Sequence, residues 1–320
     1  MLTLDFINVG YGDAILIREG AFSMLVDCGD VDVGRSSPQG CRVMAGDYLR
    51  AQGVRHLDVL VLTHLHLDHS GGLTRLLDTG VTVGEMWTNY LPPEAHWGKS
   101  VPVAEPFSPG AKCLLTSLNV YLRALPRLRD QGARIERMTR SGLTRPLTWA
   151  LTAGVYLEDP PLHVRQEAIW AHVLEGRAAQ AELTELDAFI NNTSIRLRLT
   201  YGAQSVELPG DVYARCWEKH ALSPCTLVKL PHHGHADAVT PRLLDMLRPA
   251  HAVISVSDDR TDDCPSGRVL RALEEAGASV CCTDAVPLPG GRDFHEAARY
   301  LLTPDGQARR SFLAPSRALP

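Results

Sequence analysis

An α/β domain is what this sequence predicts, and three observations predict it. The first thirty residues or so break into short stretches of alternating apolar and polar residues joined by glycine-containing turns. The run Leu57–Leu62, apolar at every position but Asp58, fits a strand buried on both faces. From Ser194 onward, strand-like and helix-like segments alternate.

The opening stretch reads as strands over Leu2–Val9, Ala14–Arg18 and Ser23–Val26. A helix is expected over Val43–Gln52, because Gly53 follows its last apolar positions as a stop signal. The buried strand Leu57–Leu62 then delivers the chain into Thr63–His64–Leu65–His66–Leu67–Asp68–His69. After Asn89 the texture changes. Residues 91–110 are rich in proline and glycine, and two helices are expected near Leu114–Asp130 and Val164–Ala188, so 91–188 reads as a largely helical insertion and a candidate lid. The alternation that follows gives strands Ser194–Thr200, Ser205–Leu208, Thr226–Leu230, Ala252–Val256 and Ser279–Thr283. Helices are expected near Tyr213–His220, Pro241–Leu247 and Gly267–Ala276. The whole chain, 1–320, is taken as one domain around that insertion, with no repeat at solenoid or propeller periods.

Composition narrows the class. At 45% hydrophobic and 22% charged, the 320 residues can bury a sizeable core. A formal net charge of −5 argues against a broad nucleic-acid-binding surface. Residues 1–20 carry Asp5, Asp13 and Glu19 and resemble a strand pair more than a signal peptide. No apolar run reaches the roughly 18 residues that a membrane span needs. Eight scattered cysteines without a CxxC pair read as reduced thiols, and so the expected location is cytoplasmic.

Chemistry concentrates at residues 64–69, where three histidines and an aspartate follow the buried strand. Imidazole and carboxylate suit zinc and other divalent first-row metals. In a turn after a strand, His64 and His66 can face one metal while Asp68 and His69 face a second. Gly71 and Gly72 follow, where absent side chains let the backbone pass close to such a centre. Two ions about 3.5–4 Å apart would share a hydroxide and use it as the nucleophile, with Asp68 orienting it. No G-x-S-x-G elbow is present to suggest a serine nucleophile.

The segment HLHLDHSGG matches the HxHxDH signature of the metallo-β-lactamase superfamily. Around it, FINVGYGDAILI, LVDCGD, NNTSIRLRLTYG, ELPGD, LVKLPHHG, AVISVS and CPSGRVLRALEEAG resemble, in the same order, the ComEC-type branch of that superfamily. Residues 1–90 and 189–285 carry the resemblance. It implies an αββα sandwich, two mixed sheets face to face with helices outside and two divalent metals at one edge, Zn2+ first and Mn2+ second. It also implies a relative free of that branch's membrane channel.

Carried over residue by residue, it places His64 and His66 on the first metal, Asp68 and His69 on the second, and Asp211 between them. His232 or His233 completes the second site, with His232 preferred, and Asp13 and Asp27 support the ligands from behind. Where the superfamily usually has a third histidine for the first metal, this chain has Asn191 and Asn192, which are either weak ligands or a turn before a strand. Cys264 stands where relatives often have histidine, and is either a thiolate ligand or a packed thiol. His235, in place of a serine, is either a substrate contact or a surface residue. Seven arginines between 121 and 145 stand against Asp130 and Glu136. Among them Arg123, Arg127 and Arg134 are candidate phosphate contacts, the alternative being a solvated helical face. Asp258, Asp259, Asp262 and Asp263 form an acidic loop that would tune the site if it lies at the mouth.

The expected function is therefore a metal-dependent phosphoester or phosphodiester hydrolase acting on a small or nucleotide-like anion. A lactone or β-lactam hydrolase and a non-catalytic metal-binding module are the alternatives, since the same metals serve different reactions.

Overall fold

The computed structural model describes residues 1–34, 41–103, 106–257, 264–284 and 295–315; the acidic loop at 258–263 lies outside them. The N-terminal alternation folds as β1 (Leu2–Ile7), β2 (Ile15–Glu19) and β3 (Phe22–Val26). After α1 (Ala45–Ala51), the apolar run becomes β4 (His56–Leu62), parallel to β3. Two short helices, α2 (Leu67–Ser70) and α3 (Leu73–Asp78), carry the chain from the histidine cluster towards β5 (Thr82–Thr88). Then come α4 (Pro109–Asp130), β6 (Arg134–Arg137), β7 (Leu143–Pro146), β8 (Leu151–Leu157), α5 (Pro160–Leu174) and α6 (Gln180–Phe189). The last part runs β9 (Ile195–Tyr201), β10 (Gln204–Leu208), α7 (Ala214–Trp217), β11 (Leu227–Lys229), α8 (Pro241–Leu247) and β12 (His251–Ile254). It closes with α9 (Gly267–Glu275), β13 (Ser279–Cys282), β14 (Ala297–Leu302) and β15 (Ala308–Leu313).

These strands make an eight-stranded sheet, β15-β14-β1-β2-β3-β4-β5-β6, and a seven-stranded sheet, β13-β12-β11-β10-β9-β8-β7. Side-chain alternation explains why both central regions are apolar on both faces. In the first sheet Ile15, Ile17, Met24, Val26, Val59 and Val61 face the other sheet. Their neighbours Leu16, Leu25, Leu60 and Leu62 pack instead with Tyr48, Leu76 and Leu118 of the helices. In the second sheet Leu227 and Val253 point inward, while Val228, Ala252 and Ile254 meet Leu243 of α8 and Leu273 of α9. This is the αββα sandwich that the sequence predicts.

Residues 91–188, expected as an insertion, are woven into that frame. They supply β6 to the edge of the first sheet and β7 and β8 to the second, where β8 pairs with β9 along its whole length. The single helix expected over 164–188 is two, broken at Gly176 with φ 71°. β14 also lies outside the expected strands; it pairs with β1 along that strand. No helix among the described residues is long and apolar enough to cross a membrane.

Candidate metal centre

The ends of β3, β4, β10 and β11 fall on one edge of the two sheets, and the chain leaves each of them through a residue with a ligand atom. Asp27 follows β3, His64 follows β4, Asp211 follows β10, and His232–His233 follow β11. Close backbone approaches hold these loops together. Cys28 N–H donates to His69 O at 2.8 Å, and Asp13 N–H to Asp68 O at 3.1 Å. A Cβ on Gly72 would stand 2.1 Å from Cys28 O, and one on Gly12 2.2 Å from Asp68 O. Only glycine permits that approach.

Three rings are anchored by Nδ1 and present Nε2 inward. His69 Nδ1 lies 2.8 Å from Asp27 Oδ2, and its Nε2 lies 3.1 Å from Asp211 Oδ2. His233 Nδ1 donates to Ser255 O at 3.0 Å, leaving Nε2 3.1 Å from Asp68 Oδ2 and 3.4 Å from Asp211 Oδ2. For His64, Nδ1 meets Thr63 Oγ1 at 3.1 Å and Ser194 Oγ at 3.2 Å. Both hydroxyl protons are spent elsewhere, Thr63 on Asp27 Oδ2 and Ser194 on Asn191 O. The hydroxyls can therefore only accept from His64, which puts its proton on Nδ1 and a lone pair on Nε2. That tautomer is the one a metal requires.

Several buried polar atoms here have no hydrogen-bond partner: Nε2 of His64, His66 and His233, Oδ1 of Asn191 and Oδ1 of Asp13. Unsatisfied groups in such density call for a ligand outside the chain. His64, His69 and Asp211 form one group with ligand atoms within 4.8 Å of one another, and Asp68, His69 and His233 form a second. Two atoms bound to one zinc at about 2.0–2.1 Å are roughly 3.0–3.4 Å apart, the spacing seen around Asp211. The donor set thus fits divalent metal.

The charges are consistent with that fit. Burial, with His69 and His66 beside it, holds the His64 ring well below the ordinary imidazole value. Burial opposes ionisation of His69 and His233 too, but the carboxylates around them win. His69 is raised well above its ordinary value by Asp211, Asp27 and Asp68, and His233 is pushed up to about 9 by Asp211 and Asp68. Asp211, despite its burial, is drawn well below the carboxylate range by His69, His233 and Lys229.

Lys229 is a residue that sequence reasoning missed. It is fully buried, pairs with Asp13 Oδ2, and places Nζ 3.3 Å from Asp211 Oδ1. A lysine closing an apolar strand, LVK, was the available signal. Its ammonium holds one oxygen of Asp211 while the other faces the two histidines. Asp13, Asp27 and His69 also gather within ligand range, yet there Lys229 already neutralises Asp13.

Other expectations are redistributed. His232, preferred at first, turns outward: its Nδ1 lies 2.8 Å from Asp237 Oδ1, and only its backbone N–H reaches Asp211, at 2.9 Å. His233 is the residue that turns in. Both have left-handed backbones, φ 48° and 51°, and this rare pair of conformations sorts the rings to opposite sides. Asn192 Oδ1 accepts from Tyr213 N–H at 3.0 Å and acts as the turn residue, while Asn191 keeps a buried, unpaired Oδ1. Cys264 donates from Sγ to His233 O at 2.6 Å, supporting the histidine from behind. His235 Nε2 lies 3.3 Å from the Tyr11 hydroxyl, and its ring sits 4.4 Å from that of His232.

The arginines do not converge on the centre. Arg127 pairs with Asp78 at 2.8 Å, and Arg134 with Glu85 and Glu136. Gly110, in the first turn of α4, lies beside Asp187 of the centre's rim. At 1.5 Å per residue, Arg123 and Arg127 are roughly 20 and 25 Å further along that helix. Arg134 begins β6 beside Glu85, three residues before the end of β5, and its guanidinium is taken up by Glu85 and Glu136.

The model of the metallo-beta-lactamase superfamily matches residues 7–257. The chain belongs to that superfamily. ComE operon protein 3 of Bacillus subtilis (strain 168) is 24% identical over 299 residues, 88% of this chain and 32% of that protein. The chain thus spans about a third of the length of this curated relative. The crystal structure of the metallo-beta-lactamase fold protein YhfI from Bacillus subtilis aligns with TM-score 0.50 at 11% identity, covering 97% of this chain and 99% of that one. Zn(2+)-bound PqqB from Methylobacterium extorquens aligns with TM-score 0.46 at 12% identity, over 88% and 98%. At 11% identity the YhfI structure bears on the fold alone.

Proposed function

We propose that this metallo-β-lactamase-fold protein is a dinuclear hydrolase that cleaves a phosphoester or phosphodiester of a small or nucleotide-like anion. The observation that carries this reading is the ring of inward Nε2 atoms around Asp211, each with its Nδ1 fixed by an outer partner where that partner is seen. His64 and His66 would hold one metal, Asp68, His69 and His233 the other, and Asp211 would touch both. The His/Asp set suits zinc, and the oxygen-rich second half also accepts manganese.

When bound, two such ions lower the pKa of water towards neutrality and take up charge on the attacking and leaving oxygens of an in-line displacement. The chain's own residues do the rest. Asp68, only partly buried, can both hold a ligand position and orient the attacking group. Asp27 fixes the His69 ring, and Lys229 fixes Asp211, so neither reorganises as charge develops. Tyr11, Tyr213, His232 and His235 form a polar aromatic rim against the ligand residues.

Elemental analysis of purified wild type and His66→Ala, with bis-p-nitrophenyl phosphate turnover on the same samples, tests the reading. About two metals per chain, lost together with turnover in the variant, support it. Absence of metal after zinc or manganese is supplied would sink it. A second reading, a lactone or β-lactam hydrolase, has one observation in its favour: Arg127 and Arg134 are paired with carboxylates away from the ligands. Metal uptake without phosphodiester turnover moves the search there.

A further inference from the structure

We propose that Asp187, on α6, supplies a carboxylate ligand to the metal held by His64 and His66, filling the position that Asn191 and Asn192 leave without a histidine. The assignment rests on the metal-centre reading above and concerns how its weaker half is completed.

Asp187 Oδ1 stands 3.5 Å from His66 Nε2. That nitrogen is buried and makes no hydrogen bond. The separation is close to the edge that two donors on one zinc would span, roughly 3.0–3.4 Å. It also resembles the 3.1 Å and 3.4 Å by which His69 and His233 stand from Asp211 on the other side. Asn191 follows one helical turn later, and its buried Oδ1 is likewise unpartnered. Nε2 of His64 and of His66 and Oδ1 of Asn191 are thus three acceptor atoms left unsatisfied on residues of this half.

The neighbourhood is shaped for that carboxylate. A Cβ on Gly110 would lie 2.7 Å from Asp187 Oδ2, so glycine leaves the room it occupies. Gly110 is in the first turn of α4, a 22-residue helix, whose N-terminal end favours a negative group. α6 is fastened to the same place, because the Gln180 side chain accepts from Ser108 N–H at 2.8 Å and donates to Ser108 Oγ at 2.9 Å. The Asp187 side chain is 45% exposed, against 2% for that of Asp211. This half of the centre therefore opens to solvent through its carboxylate.

Zinc titration of the metal-free full chain by calorimetry, with bound metal counted by elemental analysis, tests the assignment on wild type, Asp187→Ala, Asp187→His and Gly110→Val. Wild type is expected to take two equivalents. Asp187→Ala should keep one at wild-type affinity and bind the other more than tenfold more weakly, approaching about 100-fold. Gly110→Val, which displaces the carboxylate without removing it, should do the same, and Asp187→His should restore the second equivalent. If Asp187→Ala keeps both sites within tenfold of wild type, Asp187 is only an ion-pair partner of His66 and the assignment falls, while the metal centre stands. A wild-type chain that takes up no zinc overturns the centre itself, and the assignment with it.

Discussion

The two halves of the candidate centre are built on different principles. Around His69, His233, Asp211 and Lys229 every charged group is buried and faces an opposite charge, and the rings are held by Asp27 and Ser255. At His64, His66 and Asn191, by contrast, buried acceptor atoms face no partner, and the carboxylate beside His66 is the half-exposed Asp187. The first half is held by ion pairs within the protein, although His233 Nε2 and Asp13 Oδ1 there also lack a hydrogen bond. The second has fewer internal charge partners and more unsatisfied acceptor atoms. Metal should therefore be gained and lost chiefly at His64 and His66.

The strongest way to break this contrast is Asp211→Ala, which removes the group common to both halves. We expect loss of both metals, and destabilisation of the metal-free chain by about 3–5 kcal/mol, the usual cost of removing one partner from a buried ionic cluster. Urea unfolding with and without zinc measures it. Lys229→Met leaves Asp13 and Asp211 buried without their cation and should cost about 3 kcal/mol in chelator. Saturating zinc should recover part of that loss, because metal then compensates Asp211; equal losses in both conditions would contradict the role given to Lys229.

A sharper contrast comes from neighbours. His233→Ala should abolish one metal site, weakening it by at least about 100-fold, whereas His232→Ala should leave both affinities within a few-fold. Asp27→Asn should weaken the His69 site by about 10–100-fold, as loss of an outer partner does. Asparagine tolerates the φ of 58° at this position, so the change isolates the carboxylate's charge.

The smallest effect is in pH. Burial works against protonation of His233, but Asp211 and Asp68 raise it to about 9. A folded pKa above the unfolded value near 6.5 gives stability that is present below about pH 6.5 and lost as pH rises towards 9. His69 has the same sign. Melting temperatures in chelator should therefore fall across that window. With zinc they should not, because metal needs the neutral rings and gains affinity as the protons leave.

What could be read from the sequence was local. Leu57–Leu62 and the ligands behind it are contiguous, so burial and chemistry announced each other, and Asp211 stood in a short motif of its own. The choice between His232 and His233 was not readable, because it depends on two successive left-handed residues whose strain only the folded surroundings impose. Lys229 fell inside the expected strand Thr226–Leu230 without a role; that role exists only once β11 brings it to Asp13 and Asp211. β6 and β7, with sequences RIER and LTRP, carry arginines that mimic a solvated helical face, and their strand character comes from pairing with β5 and β8. β14 escaped notice because its partner is the first strand of the chain.

That last pairing also has a consequence for synthesis. β1 lies between β2 and β14, with Leu2 opposite Leu302 and Ile7 opposite Ala297. While the ribosome makes the roughly 200 residues between β5 and β14, at about 5–20 residues per second, one edge of β1 stays open for tens of seconds. An open edge beside an apolar face invites pairing with other chains. The interval between the ligand loop's emergence and the arrival of β14 is therefore when a nascent chain most needs a chaperone, and slowing translation there should lower the yield of soluble protein.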